Sequence, residues 1–233
     1  MARRERPLMA HTFAGRVFVL RIDSSPVERR TTLEADLAFL MRRAVRPIIV
    51  APTSDVARTY VRTLNRQTNL AVGLCGADAA LLPAGSPGPV GRVQTGILAT
   101  LTEAGYIPVI EPTAYGLGDD DIALAADDVA AAVAAATDAA RALFFDASGG
   151  VIDPATRALL AELTPAEALA LAERDDIDAG VRALIRAAAR GVRAGVGAAQ
   201  IFDGRIAHAV IVEFLTDQHL GTQVTGTVYL GAA

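Results

Sequence analysis

The chain has 233 residues, of which 52% are hydrophobic and 21% charged, and this length and composition argue against disorder and suit one α/β domain. Its net charge of −4 gives no overall field that would attract nucleic acid. A lone cysteine, Cys75, excludes a disulfide framework and a thiolate metal cluster. No apolar run suits a membrane span and no signal-type segment follows the N-terminus, so we expect a cytoplasmic protein.

Short apolar runs rich in Val, Ile and Leu predict the strands of one sheet. A turn follows the first run at Asp23-Ser24-Ser25-Pro26. In chain order, the predicted strands cover residues 16–22, 47–51, 70–74, 106–110, 142–145 and 198–202, with one or two closing strands within 222–230.

Helix patterns separate these runs. Thr31 and Glu34 form a capping-box pattern before a helix that ends near Arg43, and Thr164-Pro-Ala-Glu167 predicts another helix start. A second helix starts with Pro52-Thr-Ser-Asp55 and ends near Arg66. The other predicted helices cover residues 93–104 with Gly105 as the stop, the alanine-rich stretch 121–140, and 178–193.

The chain is predicted to contain one domain, residues 16–233, preceded by an N-terminal arm, residues 1–15. The turn-rich stretch 83–91 is read as a surface hairpin within that domain, because strand and helix patterns resume directly after it. The arm carries three arginines and is interpreted either as a frayed, solvated end or as a binding arm.

Alternation of short strands and longer helices predicts the α/β class, with an open, mostly parallel sheet sandwiched between helices. Ligands of such sheets bind at the carboxyl ends of the strands. The turns at those ends are Asp23-Ser24, Pro52-Thr53-Ser54, Cys75-Gly76, Asp146 to Gly150, and Asp203-Gly204.

Few residues in these turns indicate a particular chemistry. Asp146 directly follows a predicted strand, where a carboxylate either holds a cation near a phosphate or closes a turn. Asp127 and Asp128 lie in the alanine-rich stretch, where solvation of a helix surface is the simpler interpretation. The glycine-rich stretches match neither the P-loop nor the dinucleotide fingerprint, and the three histidines lack metal-binding spacing. No metal site is predicted.

Several stretches taken together resemble motifs of the amino acid kinase family, and within it the arginine-regulated branch of the acetylglutamate kinases. The resemblance covers about residues 16–230 and is best at the end of the chain, where residues 201–222 are similar to the family's v-IiDGR-x-x-HalLxElfTdxGxGT ending. The other matching stretches are Ala71-Val-Gly-Leu-Cys-Gly-Ala-Asp78, Gly88-Pro-Val-Gly91, residues 101–112, Ala126-Asp127 with Ala130-Ala131, residues 143–151, and Ile177-Asp-Ala-Gly180.

The resemblance implies an αβα sandwich, a homodimer or higher homo-oligomer, and transfer of the γ-phosphoryl group of MgATP to the side-chain carboxylate of N-acetylglutamate. It implies MgATP as a ligand without a tightly bound cofactor, arginine or another amino acid as effector, and neither nucleic acid nor membrane as partner. The residues that it carries over are Asp146 and Arg21 for catalysis, Ser148, Gly149, Gly180 and Arg182 for nucleotide, Asp127 for substrate, and His208, Glu213 and Gly221 for effector.

The chain departs from the family pattern where catalysis needs cations and free N–H groups. Arg21 replaces the lysine before the first glycine turn, and Asp23 and Ser24 replace its glycines. In the second glycine turn, Pro52 removes an N–H donor. Leu184 replaces the second catalytic lysine. The chain has no lysine at all, since its 22 basic residues are all arginine.

The substrate pocket departs from the family as well. Alanine replaces the two asparagines that precede Asp127 in the family pattern, and residues 55–70 leave no room for the family's substrate lid. Losing a single stabilising donor lowers an enzyme's rate by about 10²–10³, so we expect ordinary acetylglutamate kinase activity to be lost.

Two functional hypotheses follow. The chain is either a family enzyme that still binds nucleotide and phosphorylates an acidic substrate, or a pseudokinase that acts as an arginine or amino-acid sensor or as a regulatory partner subunit. The absence of lysine at both catalytic positions favours the second hypothesis.

Overall fold

The computed structural model describes residues 13–24, 32–67, 69–84, 90–116, 121–215 and 220–226. The helices are α1 (Leu33–Arg42), α2 (Ser54–Gln67), α3 (Gly96–Glu103), α4 (Ala126–Ala136), α5 (Pro165–Ala172), α6 (Ala179–Arg193) and α7 (Ala209–Leu215). The strands are β1 (Val17–Arg21), β2 (Arg46–Val50), β3 (Ala71–Leu74), β4 (Ile107–Ile110), β5 (Thr113–Tyr115), β6 (Asp121–Ala123), β7 (Arg141–Phe145), β8 (Glu162–Leu163), β9 (Ala199–Phe202) and β10 (Gly221–Val224).

Eight of the described strands form one sheet in the order β3-β4-β2-β1-β7-β9-β10-β8. β1 pairs in parallel with β2 and with β7, so that Val19 lies opposite Ile48 on one side and Ala142 on the other. Parallel pairing continues through β4 and β3 at one side and β9 at the other, and β10 pairs antiparallel with β9. The predicted mostly parallel sheet is confirmed.

Alternate side chains of the central strands enter two separate cores. In β1, Val19 packs in the core that α3, α4, α5 and α6 cover, whereas Phe18 and Leu20 pack in the core that α1, α2 and α7 cover. Because both faces are buried, strands such as β9 are apolar at almost every position. The predicted αβα sandwich is confirmed.

Small residues let α4 and α6 pack closely in the first of these cores. A Cβ added to Gly191 of α6 would lie 3.7 Å from Ala131 Cβ of α4, and an ion pair between Asp128 and Arg190 joins the same two helices. A cavity of about 150 Å³ lies at their junction, and its lining is mainly Val, Ala and Gly. The charged residues of the lining are Asp128 and Arg190, which pair with each other.

The alanine-rich stretch 121–140 was wrongly predicted as one helix. Its first residues form β6, which pairs antiparallel with β5, and α4 begins only at Ala126. The helix ends at Ala136, and Asp138 takes a left-handed backbone with φ of 48°. Strand pairing and a turn therefore override the high helix propensity of alanine.

The predicted helix starts have different outcomes. The predicted helix start at Thr164 is confirmed, and Thr164 and Glu167 form a capping box there, with the Glu167 N–H donating to Thr164 Oγ1 over 3.2 Å. Thr31 lies outside the described residues, and Thr32, the N-cap of α1, makes no side-chain cap bond. The predicted start of α6 at Asp178 is confirmed, because its carboxylate accepts from the Gly180 and Val181 N–H groups.

Two of the predicted elements lie partly outside the described residues. Residues 85–89 of the predicted hairpin and residues 227–230 of the closing strands are not among the described residues. Phe13 is buried in an edge-to-face contact with Phe18, and the domain division at residue 15 stays a prediction. None of the described helices has the length and apolar character needed to cross a membrane.

The turn after β3 provides a test of packing at the carboxyl end of the sheet. A Cβ added to Gly76 would lie 2.1 Å from the Thr113 carbonyl oxygen, whereas one added to Gly96 would meet nothing within 4 Å. We expect Gly76→Ala to lower the free energy of unfolding by about 1–3 kcal/mol, measured by urea unfolding. The control Gly96→Ala should leave stability unchanged or raise it by up to about 1 kcal/mol. Equal stabilities of the two variants would contradict the described turn.

Candidate functional site

An ion pair joins the end of β1 to the start of α4. Arg21 is the last residue of β1, and its Nε lies 2.5 Å from Asp127 Oδ1. Its Nη1 donates to the Phe145 carbonyl oxygen over 3.1 Å, at the end of β7. Each side chain of the pair is 16% exposed. The structure thus brings Arg21, Asp127 and the turn after β7 together at the carboxyl end of the sheet.

The surroundings of Asp127 carry an excess of negative charge. Burial raises the pKa of the Asp127 carboxyl above its ordinary value, and the guanidinium of Arg21 opposes this rise. The neighbouring carboxylates of Asp128 and Asp146 raise the pKa of Asp127 further. Residues predicted to bind substrate and to catalyse therefore share one electrostatic site.

The turn after β7 is closed by bonds to Asp146. The Ser148 N–H donates to Asp146 Oδ1 over 2.9 Å, and the Gly149 N–H donates to the Asp146 carbonyl oxygen over 3.1 Å. Gly149 and Gly150 have φ angles of 72° and 131°, which favour glycine. The two backbone donors predicted to hold nucleotide thus have acceptors within their own turn.

The turns after β1 and β2 contain no glycine. Asp23 is buried two residues beyond Arg21, and Pro52 follows β2 with no N–H to offer. Thr53 Oγ1 accepts from the Val56 N–H over 3.3 Å as α2 begins. The structure therefore places an acidic residue and a proline where the family resemblance predicted phosphate-binding glycines.

The predicted nucleotide residues of α6 have local partners. The Gly180 N–H donates to Asp178 Oδ1 over 2.8 Å, and Arg182 Nη1 lies 3.0 Å from Asp175 Oδ1. Both contacts are local to the start of α6, and neither involves Arg21 or Asp146. Leu184, which stands where the family has lysine, is buried in the core.

His208 connects the C-terminal part of the chain to α1. Its N–H donates to Thr32 Oγ1 over 2.7 Å, and its Nδ1 lies 2.7 Å from Asp36 Oδ1. The side chain of Asp36 is 2% exposed, and burial raises its pKa although the contact with His208 opposes the rise. Backbone N–H groups of Val210 and Ile211 also bond to Asp36, so this carboxylate caps α7 as well.

Glu213 is a buried carboxylate of α7 that links β9 to the residue before β10. It accepts hydrogen bonds from Gln200 Nε2 and from the Leu220 N–H, the latter over 2.8 Å. Because a carboxylate only accepts, this contact fixes the orientation of the Gln200 amide. Among the described residues, the buried Gln200 Oε1 finds no donor. Gln200 Oε1 is therefore a buried acceptor whose hydrogen-bonding capacity is unused among these residues.

Gly221 allows β10 to approach two other segments. A Cβ at this position would lie 2.0 Å from the Ile201 carbonyl oxygen and 3.0 Å from that of Gly149. A residue predicted to bind effector thus packs on a residue predicted to bind nucleotide. Sequence patterns alone did not indicate Asp36 or Gln200, because their partners lie far away along the chain.

No metal centre was predicted, and the described residues contain no group of three or more His, Cys, Asp or Glu side chains that could hold a metal ion. The carboxylate of Asp127 is paired with Arg21. The positive charge opposite the Asp127 carboxylate is therefore that of Arg21.

The raised pKa of Asp127 gives a pH-dependent prediction. The folded protein keeps this proton to a higher pH than the unfolded chain does. The resulting stabilisation is complete below the usual Asp pKa of about 4 and is lost as the pH rises through the raised pKa. We expect the free energy of unfolding of wild type, relative to Asp127→Asn, to fall over that window by up to about 1.4 kcal/mol per pH unit.

Urea unfolding at a series of pH values measures this difference. Asp138→Asn is the matched control, because that carboxylate is exposed at the end of α4. A difference between wild type and Asp127→Asn that rises with pH above 4 would contradict the burial described for Asp127.

Sequence comparison matches the chain to one protein family and to named relatives. The model of the amino acid kinase family matches residues 22–203. Acetylglutamate kinase from Prochlorococcus marinus (strain NATL2A) is 34% identical over 186 residues, which cover 75% of this chain and only 60% of that protein's length. Acetylglutamate kinase from Nostoc sp. (strain PCC 7120 / SAG 25.82 / UTEX 2576) is 29% identical over 269 residues, covering 93% of this chain and 90% of that protein.

Solved structures share the fold. N-acetylglutamate synthase from Neisseria gonorrhoeae, complexed with coenzyme A and N-acetyl-glutamate, matches with a TM-score of 0.77 and 19% identity over 94% of this chain and 62% of its own. An isopentenyl phosphate kinase matches with a TM-score of 0.63 and 13% identity over 90% of this chain and all of its own. Since the family model spans more than half of the chain and acetylglutamate kinases align with most of it, this chain belongs to the amino acid kinase family.

Proposed function

We propose that this protein is an acetylglutamate kinase-type member of its family that has lost the ordinary reaction and acts as an amino-acid-responsive regulatory protein. The lost reaction is transfer of the γ-phosphoryl group of MgATP to the side-chain carboxylate of N-acetylglutamate. The protein is proposed to work in the cytoplasm as a homodimer or higher homo-oligomer. The observation that carries the proposal is that the donors expected to hold nucleotide bond to the chain itself.

Phosphoryl transfer depends on positioned cations and N–H groups that are free to meet the developing charge. Here the Ser148 and Gly149 N–H groups bond to Asp146, and the Gly180 N–H bonds to Asp178. Arg182 pairs with Asp175. MgATP would have to break or compete with these bonds, so the described residues do not fit a preformed nucleotide site.

The charge balance at the strand ends supports the same conclusion. The guanidinium of Arg21 faces Asp127, and Asp146 adds a second carboxylate to that environment. Asp23 adds a buried carboxylate two residues beyond Arg21. A triphosphate that approaches this end of the sheet meets an excess of like charge.

A retained kinase activity is the second candidate, and one observation favours it. Arg21 keeps a cation at the end of β1, where Asp127 orients its guanidinium beside the turn that contains Asp146. If the protein phosphorylates an acidic substrate, Arg21 is the residue of this cluster that can stabilise the negative charge that develops on the transferred group.

The proposed ligand contacts lie in the C-terminal part of the chain. The Glu213 carboxylate and Gln200 Oε1 present acceptors, which suit a guanidinium or α-amino group. With His208 and Gly221, these residues make L-arginine the first ligand to test. An N-acetylglutamate synthase of the same fold was solved in complex with coenzyme A and L-arginine, which supports the choice of probe.

Calorimetric titration with L-arginine, MgATP and N-acetylglutamate tests the proposal, together with a turnover assay. We expect heat with L-arginine and no steady production of ADP from MgATP and N-acetylglutamate. Glu213→Gln should weaken arginine binding by about 10-fold to 100-fold, because a charged hydrogen bond contributes about 1.5–3 kcal/mol.

The matched control is Glu103→Gln, which removes an exposed carboxylate of α3 and should leave arginine binding unchanged. Turnover of N-acetylglutamate would contradict the loss of the ordinary reaction. Absence of heat with L-arginine would contradict the arginine-responsive role.

Restoring the family's lysine provides a separate prediction. Arg21→Lys is expected to leave turnover of MgATP and N-acetylglutamate undetectable, because Asp23 and Pro52 still replace the glycines of the adjoining turns. The measurement is a coupled assay of ADP release. Rapid turnover by this single variant would mean that one side chain, rather than the whole set of donors, limits the reaction.

A further inference from the structure

We propose that Thr222 is a positioning residue that fixes the turn Asp146–Val151 and couples it to the C-terminal segment, whose described parts are residues 203–215 and 220–224. This inference rests on the proposed function, because it concerns how an effector bound in that segment would act on the turn after β7. Its first evidence is a single hydrogen bond between the two segments.

The Val151 N–H donates to Thr222 Oγ1 over 2.8 Å, and Val151 is fully buried. The adjacent Gly150 lies so close to this threonine that an added Cβ would be 3.0 Å from Thr222 Oγ1 and 3.1 Å from its backbone N. In β10, Thr222 already lies opposite Ile201 in the antiparallel register. The hydroxyl therefore serves the turn rather than the strand ladder.

Two further contacts attach the same turn to the C-terminal segment. The carbonyl oxygen of Gly149 packs against Gly221, since a Cβ added to Gly221 would lie 3.0 Å from this oxygen. Arg205 Nη2 donates to the Ala147 carbonyl oxygen over 3.3 Å, while Asp203 holds the guanidinium of Arg205 through bonds of 2.8 and 2.7 Å. The turn is therefore held along its length by the segment that contains the proposed effector residues.

Glu213 supplies the connection to a ligand. Its Oε2 accepts from the Leu220 N–H, two residues before Thr222. A guanidinium or ammonium group that takes this oxygen competes with Leu220 for it. Any resulting shift at the start of β10 passes directly to Gly221 and Thr222, and thereby to the turn.

Amide hydrogen exchange, followed by NMR without any ligand, tests the positioning role. Thr222→Val keeps the side-chain shape but leaves the buried Val151 N–H without its acceptor, so exchange at Val151 should accelerate about tenfold or more. Thr222→Ser restores a hydroxyl and should exchange within about twofold of wild type. Thr102→Val, which removes a buried hydroxyl whose bonds among the described residues stay within α3, should leave the turn unchanged.

Unchanged exchange at Val151 in Thr222→Val, or failure of Thr222→Ser to restore it, would overturn the positioning role. Comparing Thr222→Val with Thr222→Ser also separates this role from a folding defect, because serine keeps a hydroxyl that can accept from the Val151 N–H. These measurements need no ligand, so their outcome is independent of whether L-arginine binds.

A double-mutant cycle tests the coupling. Glu213→Gln should accelerate exchange in the turn by about threefold or more, and the Glu213→Gln, Thr222→Val double variant should exchange more slowly than the product of the two single effects. If the acceleration of exchange in the double variant equals the product of the two single accelerations, the coupling is overturned. Failure of arginine binding alone would instead contradict the proposed function and leave the cycle to decide the coupling.

Discussion

The ion pair between Arg21 and Asp127 is the interaction on which the carboxyl end of the sheet depends. It joins β1 to α4, and the second bond of Arg21 to the Phe145 carbonyl oxygen joins both to β7. Removing one partner of such a buried pair leaves an uncompensated charge and is strongly destabilising. A guanidinium that is held by these two contacts is less free to reorient toward a ligand.

Most of the fold could be predicted from the sequence, because local patterns dominate it. Alternating strand and helix patterns gave the mostly parallel sheet, and the Thr164–Glu167 box gave the start of α5. The helix predicted over 121–140 was wrong, since its first residues pair with Thr113–Tyr115 through an antiparallel contact that propensity does not encode. The short strand β8 was missed because two residues carry no periodicity.

The candidate site was less predictable, since its contacts join distant parts of the chain. The family resemblance gave Arg21 and Asp127, but their pairing appears only when β1 and α4 meet in the structure. Asp36 resembles an ordinary acidic residue in the first turn of a helix, yet it is buried and bonds to His208, 172 residues away. Gln200 lies in an apolar strand, where the sequence gives no sign of a partner on α7.

The internal bonding of the turn N–H groups has a physical explanation. A turn that must receive phosphate needs unsatisfied N–H groups, and these are costly to bury unless a ligand or water meets them. In this chain, the carboxylates of Asp146 and Asp178 satisfy such N–H groups internally. Glu213 differs, because Gln200 beside it keeps a buried oxygen without a donor among the described residues. Unmet hydrogen-bonding capacity is thus present at Gln200 of β9, where the proposed amino-acid ligand would supply the missing donor.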